Sequence, residues 1–207
     1  MLSAETTWKV LLIGGSSGVG KSSIARQLGR RFGTPWMQID DLRLALQRSR
    51  VILPEKTEAL YFFEETAQMW SLPPERLRDG LIALGQVMSP ALEVVIENHV
   101  DTADPLVIEG DAILPSLLTR PSVKARSSTG QVQAVFLVEP DEHVLLAHMD
   151  ARYLVHVSHN EALLRTIAHV RWLHGLWLAE EARRLDLPVL EPHPWETLAQ
   201  RIVAAVR

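Results

Sequence analysis

The chain has 207 residues, 47% of them hydrophobic and 22% charged, which is enough apolar material for one core and far from the make-up of a disordered chain. Its formal net charge of -4 provides no overall basic field, arguing against nucleic acid or an anionic membrane surface as a partner. It has no cysteine, so disulfides, thiolate nucleophiles and cysteine-ligated zinc are excluded, and a reducing, cytoplasmic setting is expected.

Met1 to Thr7 is short and polar, and the apolar run after it is too short for a signal-peptide core or a membrane span; no longer span is read elsewhere. Val10 to Ile13 reads as a strand buried on both faces. A Gly/Ser turn follows, and then a helix over Lys21 to Arg31 that turns Ile24, Ala25 and Leu28 inward. Gly33, Thr34 and Pro35 stop that helix before a second strand, Trp36 to Ile39. Asp40 to Arg48 resumes helical spacing, with Asp40 where a capping carboxylate stands. Glu55 to Trp70 and Glu75 to His99 read as two long helices parted by Pro73 and Pro74, together a helical insertion over about 55–100. Leu106 to Ile108 is a third strand, Ser122 to Gly130 a polar surface loop, and Gln133 to Val138 a fourth strand. Helices over Asp141 to Arg152 and Glu161 to Leu185 flank a short histidine-rich lid at about 153–160. Pro188 to Leu190 is the last strand, and Trp195 to Val206 a closing amphipathic helix. The alternation of strands and helices implies a parallel α/β sheet in a single domain, 1–207.

Gly15-Ser16-Ser17-Gly18-Val19-Gly20-Lys21-Ser22 satisfies G-x-x-x-x-G-K-[ST] between a strand and a helix. In that setting the glycines let successive backbone N–H groups converge on phosphate oxygens at the positive end of a helix. Lys21 adds a full charge, Ser22 supplies a hydroxyl for Mg²⁺, and Ser23 continues the loop into the helix. ATP and Mg²⁺ are therefore the expected cofactors, and the fold class becomes a P-loop NTPase three-layer sandwich with about five parallel strands and helices on both faces.

Ligands of such sheets bind beyond the carboxyl ends of the strands, so Asp40, Glu109 and Asp111 are expected beside Lys21. Asp40 can take the proton of an attacking hydroxyl, and Arg43, nearly one helical turn on, can pair with an acceptor. Glu109 ends its strand as a carboxylate that holds Mg²⁺ through water, and Asp111 reaches toward the acceptor. Arg152 and Arg165 flank the lid and can supply charge over the migrating phosphate, with Arg171 a third choice. The histidine pairs His156/His159 and His169/His174 match no recognised metal spacing. The partner is a small-molecule acceptor; oligomeric state is not readable from the residues.

IGGSSGVGKSSIA, IDDLRLALQR, VIEGDAILPSLL, the arginine-rich helix and LPVLEPHPWETL, in that order, resemble 2-phosphoglycerate kinases over nearly the whole chain. The resemblance implies a five-stranded parallel sheet with a helical acceptor region and a lid. In that family a histidine usually follows the Glu-Gly pair, whereas here Asp111 stands there, which leaves a neutral or amine-bearing acceptor open. Asp40-Asp41-Leu42-Arg43 also resembles the D-x-x-R step of adenylate kinases, and Gly14 to Ser22 with Asp40 resembles chloramphenicol phosphotransferases. A nucleoside, nucleotide or antibiotic kinase and a regulatory nucleotide-binding ATPase therefore stand as alternatives.

Overall fold

The computed structural model describes residues 7–49, 57–153 and 161–206. Five strands form one parallel sheet: β1 (Val10–Gly15), β2 (Trp36–Gln38), β3 (Leu106–Gly110), β4 (Val132–Leu137) and β5 (Val189–Leu190), in the order β2-β3-β1-β4-β5. β1 lies at the centre because it is apolar on both sides, every residue from Val10 to Gly15 being buried. Its side chains alternate between two cores. Val10 and Leu12 join Leu92, Ile96 and Leu178 on one face, while Leu11 and Ile13 join Ile24, Leu28, Leu198 and Ile202 on the other. A three-layer sandwich results.

Eight α-helices are described. They are α1 (Lys21–Phe32), α2 (Ile39–Ser49), α3 (Thr57–Glu65), α4 (Pro74–Asp101), α5 (Pro121–Ser128), α6 (Glu142–Tyr153), α7 (Glu161–Arg184) and α8 (Trp195–Ala205). Four expectations from the sequence change. The helix read over Glu55 to Trp70 ends at Glu65: Gln68 takes a left-handed conformation (φ 49) and a 3₁₀ turn follows at Met69–Ser71. That turn sets Met69 and Trp70 beside Phe62, Phe63, Leu77 and Leu81 in a small separate apolar cluster. The polar stretch Ser122 to Gly130 is mostly helical, because burial of Val123 and side-chain bonds to α4 outweigh its weak amphipathic pattern. Ser122 donates to Glu97, and Arg126 donates to Asp101 at 2.9 Å.

Asp40 lies inside the first turn of α2 and not at its cap, since the helix already begins at Ile39. Finally, α4 is long and apolar enough by composition to cross a membrane, contrary to the sequence reading. Half of its most apolar window is buried inside the fold, however, where α4 packs against α3, α5 and α7. The lid expected at about 153–160 lies, beyond Tyr153, outside the described residues.

Candidate active site

The turn from β1 into α1 is shaped by contacts that admit only glycine. A Cβ on Gly15 (φ 141) would lie 2.3 Å from the Leu137 carbonyl oxygen, and one on Gly20 (φ 86) would lie 2.5 Å from the Trp195 ring. Gly20 is also the N-terminal cap of α1, and it has no side chain to occupy the free N–H groups there. The first turn of α1 therefore offers its positive end to an anion. Ser16 and Val19 are buried and brace the loop from within, whereas Ser17, Gly18, Gly20, Lys21, Ser22 and Ser23 line a cleft of about 390 Å³.

Lys21 folds back, its Nζ donating to the Ser16 carbonyl at 2.8 Å. Burial pushes its pKa below the ordinary lysine value, and Asp111 and Glu109 oppose that shift. Ser22 Oγ donates to Glu109 Oε1 at 2.6 Å across 87 residues of sequence. Glu109 is 4% exposed, and burial raises its pKa although the Lys21 ammonium and the Ser22 bond pull the other way. A hydroxyl and a buried carboxylate side by side are hard oxygen donors that suit Mg²⁺. Among the described residues no group of three or more His, Asp or Glu is placed to hold a metal.

The other half of the same cleft is lined by Gln38 at the end of β2, Asp40 in the first turn of α2, and Glu109, Gly110 and Asp111 at the end of β3. Arg43 Nε donates to Asp40 at 3.1 Å and Arg43 Nη1 to Gln47 at 3.0 Å, and buried Gln47 donates to the Leu60 carbonyl at 2.7 Å. Helix α2 is thereby tied to α3. Asp111 accepts from Arg171 of α7 at 2.7 Å. Burial alone would raise the Asp111 carboxyl, but Arg171, with Lys21 and others, outweighs it and holds the group below its ordinary value.

Every expected phosphate-loop residue is thus in the loop, and Asp40, Glu109 and Asp111 converge on it. Arg43 touches the site through Asp40. Arg165 is 67% exposed and pairs with Glu161 at 2.5 Å, and it is absent from the cleft lining. Arg171, the weaker choice on sequence, is the arginine of that helix bonded to the site. The side chain of Arg152 lies outside what is described.

Reading the sequence missed Arg26, Gln38 and His148 in the lining, and Trp195 against Gly20. Two of these had a local signal: Arg26 stands one helical turn after Ser22, and Gln38 closes a strand next to Asp40. His148 and Trp195 reach the loop from α6 and α8, and no local pattern predicts that approach. His174 is 0% exposed with neither ring nitrogen hydrogen-bonded, stacked on Trp177 at a centroid distance of 6.3 Å. Burial, with Arg171 and Lys21 adding to it, drives its pKa down to about 3.

The chain is 29% identical over 191 residues to a 2-phosphoglycerate kinase of Methanothermobacter thermautotrophicus, covering 88% of the chain and 60% of the relative. It is 26% identical over 204 residues to that of Methanopyrus kandleri, covering 95% and 60%. The chain resembles 2-phosphoglycerate kinases. It spans about 60% of the length of those relatives, and no protein-family model matches it. Among solved structures, a gluconokinase from Sinorhizobium meliloti superposes with a TM-score of 0.51 at 20% identity, covering 98% of this chain and 93% of that one. The fold is a P-loop NTPase fold.

Proposed function

We propose that the chain is an ATP-dependent phosphotransferase that moves the γ-phosphoryl group to a hydroxyl of a small molecule, the reaction type of the 2-phosphoglycerate kinases it resembles. The observation that carries this reading is the Ser22–Glu109 bond at 2.6 Å beside Lys21, with Asp40 lining the same cleft. Donor and acceptor machinery meet within one pocket there, as direct transfer requires. The chain acts as a single kinase domain, and its lack of cysteine suits a reducing cytoplasm.

In this reading the N–H groups of Gly15 to Ser23 bind the polyphosphate, and Lys21 leaves the Ser16 carbonyl for a phosphate oxygen. Ser22 and Glu109 would hold Mg²⁺, Glu109 through water, and the charge they hold there would offset that of the outer phosphates. Asp40 orients the acceptor hydroxyl and takes its proton. Arg43 keeps the Asp40 carboxylate in place, and Arg171 does the same for Asp111. Arg152 and Arg165 remain proposals for charge supplied from the lid.

The test is ADP formation from Mg²⁺·ATP with a panel of hydroxylated metabolites, 2-phosphoglycerate among them. Acceptor-stimulated turnover is expected, falling about 10²–10⁴-fold in Asp40→Asn and lost together with nucleotide binding in Lys21→Ala. Acceptor-independent hydrolysis untouched by Asp40→Asn would replace the kinase with a regulatory nucleotide switch.

A further inference from the structure

We infer that Arg26, held against the Trp36 ring, is a specificity-determining residue that receives an anionic group of the acceptor, a carboxylate or a phosphate. The inference rests on the phosphotransferase reading and assigns a side chain to acceptor recognition within it. In the β2-β3 pair Trp36 stands opposite Val107 and Gln38 opposite Glu109. Residues two apart on a strand face the same side, so Gln38 follows Trp36, and Glu109 follows Val107, on the side where both pack with Ile24 and Leu28 of α1. Arg26 shares its face of α1 with Ser22, about one helical turn before it. Helix side chains tilt toward the N-terminus, which leans Arg26 back toward the cleft, and its guanidinium carbon stands 5.5 Å from the centre of the Trp36 ring. Ser22 and Arg26 of α1, Gln38 of β2 and Glu109 of β3 thus line one cleft together with Asp40.

The contact with Trp36 is what fits Arg26 to this task. A guanidinium over an indole is attracted to the ring face and uses none of its N–H donors there. The ring narrows the positions open to a long side chain and leaves the fork able to meet a carboxylate or phosphate through two parallel bonds. The Gln38 amide, on the same side of the sheet, can donate to the same anion. Arg26 lies in the second turn of α1, about 6 Å along the axis from Ser22, beyond the N–H groups at the helix start that suit a polyphosphate. The other basic residues described in the lining belong to the loop side: Lys21 is bonded to the Ser16 carbonyl, and His148 comes from α6, whose Leu145 and Met149 stand against Gly18. Like charge does not close the cleft to an anion. Asp40 is paired with Arg43 at 3.1 Å and Asp111 with Arg171 at 2.7 Å, while Glu109 accepts from Ser22 at 2.6 Å. Charge brought by the lid over the migrating phosphate would add to the Arg26 contact and not displace it.

The experiment uses the full chain preloaded with Mg²⁺ and a non-hydrolysable ATP analogue, so that the phosphate loop is filled, and titrates glycerate, glycerol phosphate and glycerol by calorimetry. Wild type should bind at least one of the two anions more tightly than glycerol, and the one it prefers tells carboxylate from phosphate. Arg26→Ala should weaken that anion at least about tenfold and glycerol by less than about twofold, with uptake of the nucleotide analogue kept as the sign of an intact fold. Arg26→Lys, which keeps the charge and loses the fork, should recover part of the loss. In turnover assays Arg26→Ala should raise KM for an anionic acceptor, 2-phosphoglycerate included, with the change carried by KM and not by kcat. Binding of neither anion by wild type, anion binding unmoved by Arg26→Ala, an equal loss for glycerol, or a loss confined to the nucleotide analogue would overturn the assignment while leaving the kinase reading intact. Failure of wild type to bind the nucleotide analogue would overturn both.

Discussion

Replacing Glu109 with Gln separates what the site needs for chemistry from what the fold needs for stability. In the metal-free protein a carboxylate 4% exposed is held by the Ser22 hydroxyl at 2.6 Å, with the Lys21 ammonium bonded elsewhere, to Ser16. A hydrogen bond to a charged group contributes about 1.5–3 kcal/mol and a neutral one about 0.5–1.5, while an ionised group costs several kcal/mol to bury. Glu109→Gln keeps the shape and an acceptor oxygen for Ser22, weakens that bond and the pull of Lys21, and removes the burial cost. We expect a net gain of about 1 kcal/mol at pH 8, seen as a melting temperature higher by about 2–4 °C in a chain of this size. The pH dependence carries the sign. Because the folded Glu109 pKa is raised above 4.5, the native state holds more protons than the unfolded state above that value. Wild-type stability therefore falls as pH climbs through the raised pKa, and the variant lacks that fall. Below about pH 4.5 the two proteins should converge. Magnesium reverses the ranking: Mg²⁺·ATP at about 100 times its Kd stabilises a binding protein by about 2.7 kcal/mol, and Glu109→Gln should forfeit most of it. Calorimetric melting from pH 4 to 8, with and without Mg²⁺·ATP, checks this. A variant that melts below wild type at pH 8 without metal would refute the reasoning.

His174→Leu should stabilise the protein by about 1–2 kcal/mol in urea titrations at pH 7, because two orphaned ring nitrogens are replaced by carbon in a fully buried position. The gap should widen in acid: with the folded pKa about 3 against 6.5 unfolded, wild type loses stability as pH drops below 6.5, about 2 kcal/mol by pH 5. Gly20→Ala should destabilise the fold by about 1–3 kcal/mol and weaken nucleotide binding, since its φ is 86 and the new methyl would meet the Trp195 ring at 2.5 Å. Denaturant unfolding alongside an ATP-analogue titration measures both effects.

The sheet and the phosphate loop were legible because their signals are local. Val10 to Gly15 is apolar without interruption, the loop motif is contiguous, and each later strand is a short apolar run ending in acids or a turn. Where local signals were weak, tertiary contacts decided. The polar 122–130 stretch became helical once Val123 found the core and Arg126 found Asp101. Likewise Trp70 left the expected long helix for a cluster with Phe62, Leu77 and Leu81. Strand order could not be read from the sequence, since no residue of β2 declares that it will pair with β3 instead of β1.

The half of the cleft beyond the phosphate loop shows the same division more sharply. That Asp40, Glu109 and Asp111 line one cleft with Lys21 was legible because each follows a strand, a rule that needs only the position of each strand. Their charges are set by partners 60 and 87 residues away, Arg171 for Asp111 and Ser22 for Glu109, and no spacing rule joins those pairs. Arg165 and Arg171 look alike in sequence, six residues apart on α7. A helix advances about 100° per residue, so six residues swing the side chain through about 600°, or 240° after a full turn, onto a different face. One therefore ends in solvent against Glu161 while the other turns inward to Asp111. Which of these two arginines meets the cleft carboxylates is thus a property of helix rotation and not of composition, and a count of arginines cannot answer it.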